Sequence, residues 1–224
     1  MPGRQRVIQG FILGAIGLLG AIWAGELPND IRWVRNSTEY QALCTQVYST
    51  AWTQVREMAR EQDQPWAIIM DLDETVLDNS LYQVEITERQ ETFTMTSWAE
   101  FVNRAESGLV PGAKAFLDSV HTLPGGRIIY ISNRMAEREA ATRTNLESLG
   151  ILDMDDVFLL RLEKADTKDI RRQESILGTG RMQEIGPQLI LAYFGDAMGD
   201  FPQDSAYSWG VSKFILPNPM YGKW

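Results

Sequence analysis

Ala67-Ile68-Ile69-Met70-Asp71-Leu72-Asp73-Glu74-Thr75-Val76-Leu77-Asp78 opens as an apolar run and breaks into aspartates. A short apolar run closed by polar residues predicts a buried strand. Asp71 and Asp73 then stand at its carboxyl end. Two carboxylates so close repel unless a cation lies between them, and oxygen-rich sites of this kind suit a hard divalent ion. Asp is also common at helix caps and turns, so the pair alone is a weak signal. Its meaning depends on what the rest of the chain brings to it.

Further strands are expected at Arg127–Ser132, Val157–Leu160, Gln188–Phe194 and Val211–Leu216. Helical patterns separate them: Val110 through Leu123, Met135 to Leu149 closed by Gly150, and Asp166 to Ile176. Strands alternating with helices predict an α/β fold, a parallel sheet with helices on both faces. Ahead of the first strand, apolar positions at Tyr40, Leu43, Cys44, Val47, Tyr48, Ala51, Trp52, Val55, Met58 and Ala59 follow the helical period. They predict a long N-terminal helix opened by Asn36 and Glu39 at capping-box spacing. Its aromatics read as packing and Cys44 as a buried thiol. From Asn79 to about Val110 the pattern changes, with Trp98, Phe101 and Val102 on one side of a short helix. This stretch reads as an insertion, about residues 80–110, covering the strand ends.

Three strands end in polar residues: Asp71 with Asp73, Ser132, and Asp196 with Asp200 behind it. Ligands of open α/β sheets bind outside the carboxyl ends of the strands, so these residues should meet at one edge. Phosphoryl transfer gives each a task. Asp71 is expected to be the nucleophile. Asp73 would protonate the leaving oxygen and then activate water. Magnesium would be held by Asp71, Asp196 and the backbone carbonyl of Asp73. Ser132, with Asn133 beside it, would bind phosphoryl oxygens, and Lys168 would neutralise charge. Asp200 would support the site from behind. Against these stand plainer readings: Ser132 as a helix cap, and Lys168 on a solvated face with Lys164, Arg171 and Arg172.

Composition sets limits. The chain has 224 residues and a net charge of −9, one domain with a sizeable core. That charge argues against a nucleic-acid polymer as partner. A single Cys44 excludes an intrachain disulfide, and His121, the only histidine, leaves no histidine metal centre and reads as structural or surface. Arg4 and Arg6 precede an apolar segment, Phe11 to Ala24. Residues 1–24 thus read as a signal peptide or an uncleaved anchor, short of the roughly 20 residues of a spanning helix. A periplasmic or extracellular location is expected, with membrane association if the segment stays attached.

The chain resembles the class C nonspecific acid phosphatases of the haloacid dehalogenase superfamily. Asp71 through Ser80 carries the match, joined by Tyr130-Ile131-Ser132-Asn133-Arg134, Lys168 ahead of Arg171-Arg172, Gly195-Asp196, Asp200-Phe201, and Ile215 through Gly222. It covers residues 33–224. The resemblance implies a Rossmann-like core with a small cap, frequent homodimers, and a magnesium-dependent phosphomonoesterase acting on 5′-nucleotides at acidic pH. It further implies that Tyr221 binds the nucleobase. Two departures stand out: no lipid-attachment cysteine follows the apolar segment, and the stretch between Asp200 and Lys213 is shorter than in some members. A phosphotransferase or mutase on the same fold would use the same aspartates. A binding protein with a degenerate site is opposed by the intact Asp71, Asp73, Lys168 and Asp196.

Overall fold

In the computed structural model, which describes residues 26–222, the apolar run forms β1 (Trp66–Met70), buried along its whole length. A short antiparallel ribbon follows, β2 (Leu77–Asp78) against β3 (Gly108–Leu109). The remaining strands are β4 (Gly126–Tyr130), β5 (Val157–Phe158), β6 (Leu189–Gly195) and β7 (Lys213–Ile215). With β1 at the centre they make a five-stranded sheet in the order β5-β4-β1-β6-β7, every pairing parallel. The signal peptide or anchor expected at residues 1–24 lies outside the described residues.

β1 is apolar throughout because both faces of the sheet are covered. Ile68 and Met70 enter one core with Tyr48 and Ala51 of α2 (Thr38–Arg60), Phe116 and Leu117 of α5 (Ala113–His121), and Leu146 of α6 (Glu139–Ser148). Ala67 and Ile69 enter a second core with Ile129, Tyr193, Met182 and Phe201, against which Ile176 of α7 (Lys168–Leu177) packs. The 3.6-residue stripe of α2 is buried at Tyr40, Cys44, Tyr48, Ala51 and Val55. Cys44 is fully buried, and burial pushes its thiol up to about 11. Tyr48 packs its ring on Phe194 and Phe116 and donates its hydroxyl to the Thr75 carbonyl at 2.5 Å. The α2 aromatics are therefore packing residues.

Several boundaries differ from expectation. α2 is capped by Ser37, which accepts from the Tyr40 amide at 3.0 Å. Asn36 instead ends a preceding helix, α1 (Asn29–Asn36). Ser37 is extended, at φ −86° and ψ 139°, which is what a cap requires. The segment after Met135 begins as a 3₁₀ turn, Ala136–Arg138, before α6.

The insertion holds α3 (Ser80–Glu88) and α4 (Met95–Arg104), with the ribbon as its base. Tyr82, Ile86 and Phe101 form a small core of their own, with Leu81 and Trp98 packed against it. Aromatic edges and faces hold it together, Tyr82 to Trp98 at 5.1 Å and Trp98 to Phe101 at 5.7 Å between centroids. The cap thus has a small core of its own, while α3 also packs on α1 and α4 on α6.

Candidate active site

The site lies where β1, β4 and β6 end. β1 fixes Asp71, whose amide donates to the Phe194 carbonyl at 3.0 Å as the strand runs out. β6 ends at Gly195 and delivers Asp196 and Asp200. A carboxylate oxygen from each of Asp71, Asp196 and Asp200 falls within 4.8 Å of the others. Gly195 makes this possible: a Cβ there would fall 2.2 Å from Asp200 Cβ. The Asp200 carboxylate is also held by the Ala197 amide, which donates to Oδ2 at 2.9 Å.

α7 supplies the positive charge. Lys168 Nζ stands 2.7 Å from Asp71 Oδ1 and 2.5 Å from Asp200 Oδ1. Burial opposes its charge, but these two carboxylates outweigh it and hold the Lys168 pKa above the ordinary 10.5. Burial pushes Asp71 well above the usual carboxylate range, with Lys168 opposing and Asp200, Asp196 and Asp73 adding to the rise. Burial likewise pushes Asp196 up to about 6, opposed by a hydrogen bond from Asn218 Nδ2 at 2.8 Å.

The next positions of α7 are structural. Arg171 and Arg172 are buried rather than solvated. Arg171 donates to the Ser132 and Leu159 carbonyls and to Asn133 Oδ1, while Arg172 Nη1 donates to the Gly199 carbonyl at 3.0 Å. One helix therefore positions the lysine and ties down the loops after β4 and β6.

Asp73 stands apart from this cluster. Its Oδ1 accepts from Asn79 Nδ2 at 3.0 Å and Arg134 Nε at 2.9 Å, with Arg134 Nη2 at 2.8 Å from the same atom. Its Oδ2 is 3.4 Å from Ser132 Oγ. The third carboxylate grouped with Asp71 and Asp196 is therefore Asp200, expected only to stand behind them; the Asp73 side chain, of which only the backbone carbonyl was expected at the cation, lies outside the group. The physical reason is that β1 ends at Met70. Beyond it the Leu72 carbonyl accepts from the Val76 and Leu77 amides, at 2.9 and 2.8 Å, and turns the chain. Glu74 takes a positive φ of 56° in that turn, and its buried carboxylate accepts from the Asn79 amide at 2.9 Å.

Ser132 is buried beside Asp73, Asn133 is exposed at the mouth, and Tyr221 is 38% exposed on the C-terminal segment. Asn218, on the same segment, meets Asp196. Arg134, Asn79 and Asn218 join the site without a role expected from the sequence, although each lies in a stretch that carries the resemblance. A cleft of about 370 Å³ opens between α4 and the loop after β4, lined by Trp98, Asn103, Asn133, Arg134 and Arg138 among others.

The three clustered carboxylates fit a divalent cation. They offer only oxygen, and Asp71 Oδ1 is buried with no hydrogen-bond donor aligned on it. Lys168 approaches that oxygen as an ion pair.

A parallel sheet carrying carboxylates and a serine at its strand ends, joined by a lysine from α7 and with a small cap, defines a protein of the haloacid dehalogenase (HAD) type. The particular branch follows from comparison with known families. Residues 21–224 match the family described as HAD superfamily, subfamily IIIB (acid phosphatase), and the chain belongs to it. The class C acid phosphatase of Bacillus anthracis superposes with a TM-score of 0.70 at 28% identity, over 86% of this chain and 84% of that one. Its tungstate-bound structure gives 0.70 at 29% identity over the same shares. The stem 31 kDa glycoprotein of Glycine max is 29% identical over 159 residues, 68% of this chain. This chain spans 58% of that protein's length.

Proposed function

We propose that the protein is a magnesium-dependent phosphomonoesterase that works through an aspartyl phosphate on Asp71, with 5′-nucleotides as preferred substrates. The observation that carries this is the division of labour between two aspartates. Asp71 is grouped with Asp196, Asp200 and Lys168, while Asp73 is held separately by Arg134 and Asn79.

Asp71, Asp196 and Asp200 would hold the cation, which when bound offsets the crowding of carboxylates and the charge of the phosphoryl group. Lys168 keeps its proton and steadies negative charge at Asp71 and the phosphoryl oxygens. Ser132 Oγ and the Asn133 side chain would meet those oxygens. Attack by an Asp71 oxygen forms an O–P bond as the ester P–O bond breaks, and Asp73 gives its proton to the departing oxygen. Asp73 then takes a proton from water as the water oxygen bonds phosphorus. Inorganic phosphate leaves and the Asp71 carboxylate is restored. The Bacillus anthracis enzyme is known with tungstate bound, and that oxyanion supports a phosphate-like ligand for this chain.

The nucleotide preference rests on Tyr221, exposed on a segment tied by Asn218 to Asp196. The apolar Phe11–Ala24 segment supports export or anchoring outside the cytoplasm. Homodimers follow from the resemblance alone. The test is phosphate release from a panel of nucleotides and sugar phosphates, with and without chelator. Faster turnover of nucleotides, lost on chelation and restored by Mg²⁺, is expected. Equal rates on both panels would remove the role of Tyr221, and chelator-insensitive turnover would remove the metal.

A further inference from the structure

We infer that Arg134 is the positioning residue of the acid–base step, and that it makes Oδ2 the one oxygen of Asp73 that carries the transferred proton. The inference rests on the phosphomonoesterase reading above. The Arg134 side chain is fully buried, and both Nε and Nη2 approach Asp73 Oδ1. Nε donates to that oxygen, and Asn79 Nδ2 is its second hydrogen-bond donor. A carboxyl oxygen that accepts two N–H hydrogen bonds, with a further guanidinium nitrogen 2.8 Å away, has no room for a proton of its own, because the proton would point at another hydrogen. Among the described residues, Oδ2 meets only Ser132 Oγ, at the long distance of 3.4 Å. The neutral acid can therefore carry its proton only on Oδ2, and the ionised form can take one only there.

The rest of the guanidinium is fixed too. Nη1 donates to Thr142 Oγ1 of α6 at 3.2 Å, and Nη2 to Asn79 Oδ1 at 3.3 Å. The Trp98 ring of the cap lies 5.7 Å from the Arg134 guanidinium carbon. Arg134 is thus braced by the core on one side and the cap on the other, and its fork sets the plane of the Asp73 carboxylate. In the first half-reaction the Oδ2 proton passes to the ester oxygen as the P–O bond breaks. In the second, Oδ2 takes a proton from the attacking water.

The experiment uses leaving groups that differ in their need for a proton. 4-Nitrophenolate leaves as a stable anion, whereas the alkoxide of a simple alkyl phosphate does not. Arg134→Gln and Arg134→Lys are compared with the wild-type protein on both substrates. For Arg134→Gln, kcat/KM on the alkyl phosphate should fall ~100-fold, against no more than ~3-fold on 4-nitrophenyl phosphate. It should also release a burst of 4-nitrophenol, because the water step is slowed as well. Arg134→Lys, which keeps one donor toward Oδ1, should recover part of the alkyl-phosphate rate. In an Asp73→Asn background, Arg134→Gln should cost little more, since both changes remove the same step.

An equal loss on both substrates would overturn the inference, as would a rise in KM alone, which would make Arg134 a phosphate contact. Full additivity with Asp73→Asn would overturn it also. Should Arg134→Gln fail to fold, Arg134→Lys still decides, through the ratio of its losses on the two substrates. A wild-type protein inactive on every phosphomonoester would sink the proposed function itself, a result distinct from all of these.

Discussion

Asp71 and Asp73 are two residues apart, and their surroundings differ. Asp71 faces carboxylates and a lysine, and Asp73 faces an arginine and an asparagine amide. Asp71→Asn should abolish turnover while the thermal melt changes little; retained activity would remove Asp71 as nucleophile. Gly195 is a less obvious requirement. Gly195→Ala would place a methyl group 2.2 Å from Asp200 Cβ, so Asp200 must move. Strain of about 1–3 kcal/mol is expected, together with weaker Mg²⁺ activation, read from activity against Mg²⁺ concentration. A variant with wild-type Mg²⁺ dependence would show that Asp200 does not hold the cation. The carboxylates and Lys168 were legible in the sequence because each closes an apolar run or opens a helix. Arg134 was not, since its meaning comes from Asp73, far away in the chain, and a lone arginine after a strand has no periodicity to mark it. The entry of Asp200 into the carboxylate cluster is hidden for a similar reason, since it depends on the close approach that Gly195 permits.

α2 and α7 brace the site from opposite faces of the sheet. α2 reaches the turn that follows Asp71 through Tyr48, whose hydroxyl donates to the Thr75 carbonyl. Tyr48→Phe removes that donor from a buried carbonyl and should destabilise by about 1–3 kcal/mol. Urea unfolding measures this, and an unchanged midpoint would mean the bond contributes nothing. α2 was readable over its whole length because one stripe is apolar for turn after turn. α1 buries only Ile31 and Val34, and α3 only Ser80, Tyr82 and Ile86. Neither presents enough apolar spacing to stand out from a loop. The buried Arg171 and Arg172 look from sequence like a wet face, and only the loops they hold explain their burial.

Taken whole, the molecule is an acid-phosphatase-family sheet with a small aromatic-cored cap, and its charges also shape its stability. His121, the only histidine, lies 3.1 Å from Asp156 through Nε2. Burial works against its protonation, but the Asp156 carboxylate wins and raises its pKa above the ordinary 6.5. A raised folded pKa means the stabilisation is fully present below 6.5 and fades as pH rises through the folded value. The melting-temperature gap between wild type and His121→Gln should therefore be widest at mildly acidic pH and narrow on the alkaline side; a gap that widens with pH would contradict the pairing. The most direct measurement concerns Asp71. The protein is mixed with 4-nitrophenyl phosphate, quenched in acid within a turnover, and mapped by peptide mass spectrometry. A hydroxylamine-labile phosphoryl group on Asp71 is predicted. Phosphate release with Asp71 unmodified, or with the label on another residue, would contradict it.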